Sequence, residues 1–155
     1  MEGRLVKGQI GVIGGAECSP EIYEIAREVG GEIAKNGFSL VCGGLGGVME
    51  AACRGAKEAD GITIGILPTS NKQDANPYID LVIPTGLGHA RNILVVHASD
   101  ALVAVDGEAG TLSEIAIALK VGKPIVGIKT WELEGRVPLA EGGRASVAML
   151  LDMLR

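Results

Sequence analysis

"FSLVCGGLGGVMEAACRGAKEADGITIGILP", Phe38–Pro68, holds the pattern on which the fold turns. Its first seven residues read as a short apolar strand ending in glycines. Gly47–Gly61 reads as a helix. Ala51, Ala52, Gly55, Ala56 and Ala59 give it a small-residue stripe, expected to lie tightly on a sheet. Ile62–Pro68 is again a short β-rich run. Strand, glycine turn, helix and strand in that order make the βαβ unit of a parallel sheet.

The alternation continues in both directions. Upstream, Gln9–Gly15 is a strand that ends in glycines. Ser19–Gly37 opens with a Ser cap and Pro20 at the first helical position. Ile22, Ile25, Ala26, Val29, Ile33 and Ala34 recur there at spacings of three and four, and Asn36-Gly37 is a stop signal. The internal Gly30-Gly31 pair costs about 1 kcal/mol each relative to Ala and points to close packing. Downstream come a polar loop (69–80), strand 81–86, helix 88–99, strand 100–107, helix 111–122, strand 124–130, a turn-rich stretch and a last helix, 145–154. Strands apolar on both faces imply a parallel sheet covered on both sides. The expected fold is α/β. It is one domain over residues 1–155, Rossmann-like and doubly wound in three α/β/α layers, with a mainly parallel sheet of six or seven strands.

Composition narrows the function classes. Of 155 residues 47% are apolar and only 3% aromatic, so Ile, Val, Leu and Ala must fill the core. Net charge is −5, which gives no support to a nucleic-acid groove. Cys18, Cys42 and Cys53 are too few and too irregular for a disulfide framework or a zinc site and fit a reducing cytoplasm. They read as small buried residues, with no metal ligand among them. The start, MEGRLVKGQIGVIGG, lacks the apolar core of a signal peptide, and no apolar run is long enough to span a membrane.

Ligands of doubly wound sheets sit beyond the carboxyl ends of the strands, where the strand order reverses. Glycine clusters follow four of the strands: Gly14-Gly15, Gly43-Gly44-Leu45-Gly46-Gly47, Gly86 with Gly88, and Gly107 with Gly110. They should line one edge of the sheet. In VCGGLGGVME, glycines free backbone N–H groups to face a phosphate at a helix start, although the Walker A ending is absent. In DGEAGTLSE, Gly110 and Thr111 offer the same chemistry and Glu114 lies one turn on. A capping box of Thr111 with Glu114 competes as an explanation. In PTGLGHARN, Arg91 can clamp an anion in bidentate fashion and His89 belongs to the side chains that titrate near neutrality. His97, among Val95, Val96 and Ala98, reads as structural.

The stretches CGGLGGVM, GHARN and DGEAGTLSE, in that order between Gln9 and Thr130, resemble the family long labelled lysine decarboxylase-like. It is known for the LOG-type cytokinin riboside 5′-monophosphate phosphoribohydrolases. The chain is also similar to the family's short branch, which includes molybdenum cofactor carrier proteins. The resemblance implies catalytic roles for Glu114 and Arg91, and ligand contacts from Gly43, Gly44, Gly47, Gly110 and Thr111; Gly46 joins the expected site through the glycine cluster it belongs to. It also implies a homo-oligomer, dimer or tetramer. Three positions depart from the family pattern. Asn92 replaces a lysine, Gly88 a methionine, and Asp106-Gly107-Glu108 a Pro-Gly-Gly turn. Two carboxylates beside a phosphate cost affinity unless a cation offsets them. They would meet Mg²⁺ bridging to phosphate, or N–H donors on a pterin or purine ring.

The expectation is a cytoplasmic protein that binds a phosphorylated nucleotide-like or pterin-like molecule, with a molybdopterin-type ligand or Mg²⁺ as the cofactors in view. The alternative is a phosphoribohydrolase that cleaves the N-glycosidic bond. Gly14, Gly15, Gly88, His89, Asn92, Asp106, Gly107 and Glu108 complete the expected site.

Overall fold

The computed structural model describes residues 6–155. Residues 1–5, where the stretch read for a signal peptide begins, lie outside the described residues. Six strands form one all-parallel sheet in the order β4-β3-β2-β1-β5-β6. They are β1 (Gln9–Gly14), β2 (Ser39–Cys42), β3 (Thr63–Leu67), β4 (Leu81–Pro84), β5 (Ala101–Val105) and β6 (Ile125–Ile128). The helices are α1 (Pro20–Lys35), α2 (Gly47–Glu58), α3 (Arg91–Ala98), α4 (Ala109–Val121) and α5 (Gly143–Met153).

Two apolar clusters make the three layers. Ile10, Val12, Leu40, Val103 and Val126 face α1, α2 and α5. Ile13, Val41, Ile66, Leu102 and Ala104 face α3 and α4, whose Val95, Val96, Ile115 and Ala118 cover them. The central strands β2 and β5 and the edge strand β6 are buried throughout, as a sheet covered on both sides requires. The edge strand β4 breaks that expectation: Leu81 and Ile83 are exposed.

Helix α1 has the expected cap, with the Ile22 amide donating to Ser19 Oγ at 3.2 Å. The small residues of α2 serve a partner the sequence did not reveal. A Cβ on Gly30 would overlap the Ala52 carbonyl, and one on Gly55 the Arg27 carbonyl. Part of the α2 stripe therefore lies on α1, backbone against backbone, as well as on the sheet. The polar loop after β3 braces the β2–α2 turn. Buried Asn76 donates its side-chain amide to Leu45 O and its backbone N–H to Gly44 O, both at 2.9 Å.

Candidate functional site

The chain lays down β1 to β4 toward one edge, then crosses to place β5 and β6 on the other side of β1. The strand order reverses between β1 and β5, and a crevice must open beyond their carboxyl ends. A pocket of about 460 Å³ lies there. A larger groove of about 660 Å³ runs over α1 and α2, but its walls are helix-surface charges such as Arg27 and Glu58, already paired with each other. The crevice is where polar groups from several elements converge.

Of the expected site residues, Gly14, Gly15, His89, Arg91, Asn92, Asp106, Gly107, Glu108, Gly110, Thr111 and Glu114 line the pocket. Gly43, Gly44, Gly46, Gly47 and Gly88 do not. Gly43, Gly44 and Gly47 are tightly packed. A Cβ on Gly43 would strike the Arg91 guanidinium, one on Gly44 the Leu67 side chain, and one on Gly47 the chain at Gly15–Glu17. They shape the pocket from behind. Ala16, Glu17, Leu45 and Met49 line it without having been expected. Ala16-Glu17 simply continues the Gly14-Gly15 turn, which was the available signal.

The capping box is corrected as well. Helix α4 starts at Ala109 with Glu108 as its N-cap, so Thr111 and Glu114 lie inside the helix. No side chain caps this end. Leu112 N–H makes the first intrahelical bond, to Glu108 O at 2.9 Å, leaving the N–H groups of Ala109, Gly110 and Thr111 free at the positive end of the helix. Gly110 stands out among these glycines. Its φ is not in the left-handed region, and a Cβ would meet nothing within 4 Å. Neither backbone nor packing requires glycine there.

Arg91 sits at the start of α3 and is 8% exposed. Its Nη1 donates to Asn92 Oδ1, and its Nη2 to Gly43 O at 3.4 Å. Nε has no partner. Asn92, the lysine of the resembling family, donates in turn to Ser113 Oγ at 3.2 Å, and Ser113 to Gly110 O at 2.6 Å. A relay thus ties the guanidinium to the glycine turn. A buried cation with an idle donor is a demand for an anion.

Glu114 is 6% exposed. Burial pushes its carboxyl up to about 7, against the attraction of Arg91. Burial also pulls Arg91 below its ordinary range, with Glu114 resisting. A carboxyl poised near neutrality can give or take a proton. The sign for stability follows. Between about 4.5 and about 7 the folded chain keeps a proton that the unfolded chain has lost. Glu114 therefore favours folding fully below pH 4.5, and that contribution fades as pH rises through 7, by roughly 3 kcal/mol in all. Glu114→Gln should remove this decline, flattening denaturant-derived stability between pH 5 and pH 8.

Among the described residues no three His, Cys, Asp or Glu side chains gather to hold a metal ion, and the expected Mg²⁺ finds no support there. Nor is any described helix long and apolar enough to cross a membrane. Cys18, Cys42 and Cys53 are free thiols.

The family model for the SLOG cluster4 family matches residues 7–149. Among solved structures, the chain is similar to the molybdenum cofactor binding protein of Rippkaea orientalis, with 37% identity and a TM-score of 0.90 over 96% of this chain and 98% of that one. It is similar to the molybdenum cofactor carrier protein of Chlamydomonas reinhardtii at 37% identity and a TM-score of 0.86, over 96% and 99%. The cytokinin riboside 5′-monophosphate phosphoribohydrolase of Mycobacterium tuberculosis is 35% identical over 72% of this chain; the match spans 64% of that enzyme.

Proposed function

Because this chain belongs to the SLOG cluster4 family, we propose that it binds a phosphorylated pterin-like or nucleotide-like molecule, in the manner of the molybdenum cofactor carriers it resembles. The observation that carries this reading is the pairing of the Arg91 Nε donor, buried and idle, with the uncapped start of α4 in one pocket. The residues present fit such a ligand. The free N–H groups of Ala109, Gly110 and Thr111 and the Arg91 guanidinium would hold its phosphate. The carboxylates of the same pocket would face its ring. Gly110 is glycine so that a ligand can come close to the helix end. Three free thiols suit a reducing cytoplasm.

The test uses ribose 5-phosphate and nucleoside monophosphates as probes. They should raise the melting temperature, and Gly110→Leu should abolish the rise while the variant still folds. Gly110→Ala should separate the two effects, gaining up to about 1 kcal/mol of stability and losing affinity. Absence of any shift with the wild-type chain would contradict the reading.

A second reading is supported by Glu114. A carboxyl near neutrality beside a phosphate site could position water against an N-glycosidic bond, releasing base and ribose 5-phosphate. Incubation with AMP would yield free adenine on this reading, and none with Glu114→Gln.

Self-association through the α3–α4 layer is also proposed. Helices α1 and α2 turn charges such as Glu24, Arg27 and Glu58 to solvent. On the other side, Ile93 and Leu94 of α3, Val121 of α4, and Leu81, Ile83 and Leu87 are 40–56% exposed. His97, expected to be structural, points outward with them. Such a face is a contact surface. Sedimentation should give a dimer or tetramer of the 15.9 kDa chain, and Ile93→Asp with Leu94→Asp should give the monomer. A monomeric wild-type chain would exclude the assembly.

A further inference from the structure

The pocket holds more acid than a phosphate site needs. Glu17, Asp106 and Glu108 line it beside Glu114, with Arg91 as the fixed cation. None of the first three has a hydrogen-bond or ion-pair partner among the described residues. Acidic groups alone mark no site. Here two residues more than nine-tenths buried line the same space: Arg91, whose Nε has no hydrogen-bond partner, and Glu114.

Asp106 differs from the other two carboxylates. Glu17 and Glu108 are exposed and free to swing into solvent, while Asp106 is half-buried. Its backbone is fixed on both sides: its N–H donates to Ile128 O at 3.0 Å, and its carbonyl accepts from Thr130 Oγ1 at 2.6 Å. Its φ is +50°, in the left-handed region that Asp tolerates and that a proline could not adopt. This carboxylate is held at the crevice between β1 and β5, and it accepts hydrogen bonds only.

From this we infer that Asp106 reads the ring of the ligand, and that the pocket takes a ring with a 2-amino-4-oxopyrimidine edge, shared by guanine and pterin, in preference to adenine. The inference rests on the phosphate-binding reading above. Guanine offers N1–H and a 2-amino group side by side, and pterin offers N3–H and its 2-amino group in the same way. Both donors fit one carboxylate, a charge-assisted bidentate pair. Adenine turns the N1 lone pair to the same place, and a carboxylate repels it. A site built for donors rejects the ring that lacks them. The acid wall also orients the ligand, keeping its phosphate at Arg91 and the start of α4.

Calorimetric titration of the full chain in EDTA with GMP, AMP and ribose 5-phosphate tests this. GMP should bind about tenfold or more tighter than AMP. Asp106→Asn, which keeps the left-handed backbone and presents one donor and one acceptor, should bring the ratio within about threefold or invert it. Ribose 5-phosphate should bind the variant at least as tightly as the wild type, because one carboxylate near the phosphate is neutralised, which also shows that the variant folds. Equal affinities for GMP and AMP in the wild type, or an unchanged ratio in the variant, would overturn the inference. If ribose 5-phosphate still binds in that case, the phosphate reading stands. If no probe binds, both fall.

Discussion

Arg91→Met should lower affinity for ribose 5-phosphate by about 100-fold or more while leaving stability at pH 6 within about 1 kcal/mol of the wild type. A bidentate, buried guanidinium–phosphate pair is among the strongest polar contacts a protein makes. Its loss leaves the ligand with backbone donors alone. The fold should not suffer equally. The guanidinium has only Asn92 Oδ1 and a long bond to Gly43 O as partners, with Nε idle. Exchanging an incompletely partnered buried charge for an apolar side chain of similar length is often neutral or stabilising. At pH 6 Glu114 still holds its proton, so it does not need the cation. Calorimetry and chemical denaturation of the same preparation would separate the two effects. Equal damage to both would make Arg91 a structural residue.

The second large effect concerns the α1–α2 contact. Gly55→Val should cost about 3 kcal/mol or more, or prevent folding, because a side chain there drives into the Arg27 carbonyl of the facing helix. Gly30→Val should do the same against Ala52. The neighbour Gly31 supplies the control. A Cβ on it would meet the Gly55 carbonyl at an ordinary 3.6 Å. Gly31→Ala should therefore stabilise α1, by up to about 1 kcal/mol. Adjacent glycines with opposite signs, read from urea midpoints, would verify the helix contact. Like signs would refute it.

These two glycines show what the sequence could and could not carry. The alternation of apolar runs with glycine turns and periodic helices was sufficient for a parallel doubly wound sheet, because buried strands and amphipathic helices leave different periodicities. That close packing occurs at the Gly30-Gly31 pair was also legible, although only Gly30 requires glycine for it. Its partner was not: no local signal says that α2 turns Gly55 toward α1.

The site divides in the same way. Glycines after strands located the edge where the pocket opens, and Arg91, Asp106 and Glu114 were legible as charged residues beside them. The glycine-rich run 43–47 had a double meaning. Glycine frees N–H groups for a phosphate, and it also lets Arg91, Leu67 and the Gly15–Glu17 turn come close; the second use is visible only in the three-dimensional contacts. The start of α4 was misplaced by two residues because Thr111 and Glu114 imitate a capping box, whereas the chain caps this helix with Glu108 and no side-chain bond. Asn76 and Ser113 had no sequence signal, since their roles consist of hydrogen bonds to distant backbone and side-chain partners.

The central claim is that the crevice between β1 and β5 is an anion site formed by Arg91 and the start of α4. A crystal structure of the full chain with ribose 5-phosphate measures it directly. The phosphate should lie within hydrogen-bond distance of the Arg91 guanidinium and of the Ala109, Gly110 and Thr111 N–H groups. Density for the phosphate elsewhere, for instance in the groove over α1 and α2, with the crevice holding only water, would contradict it.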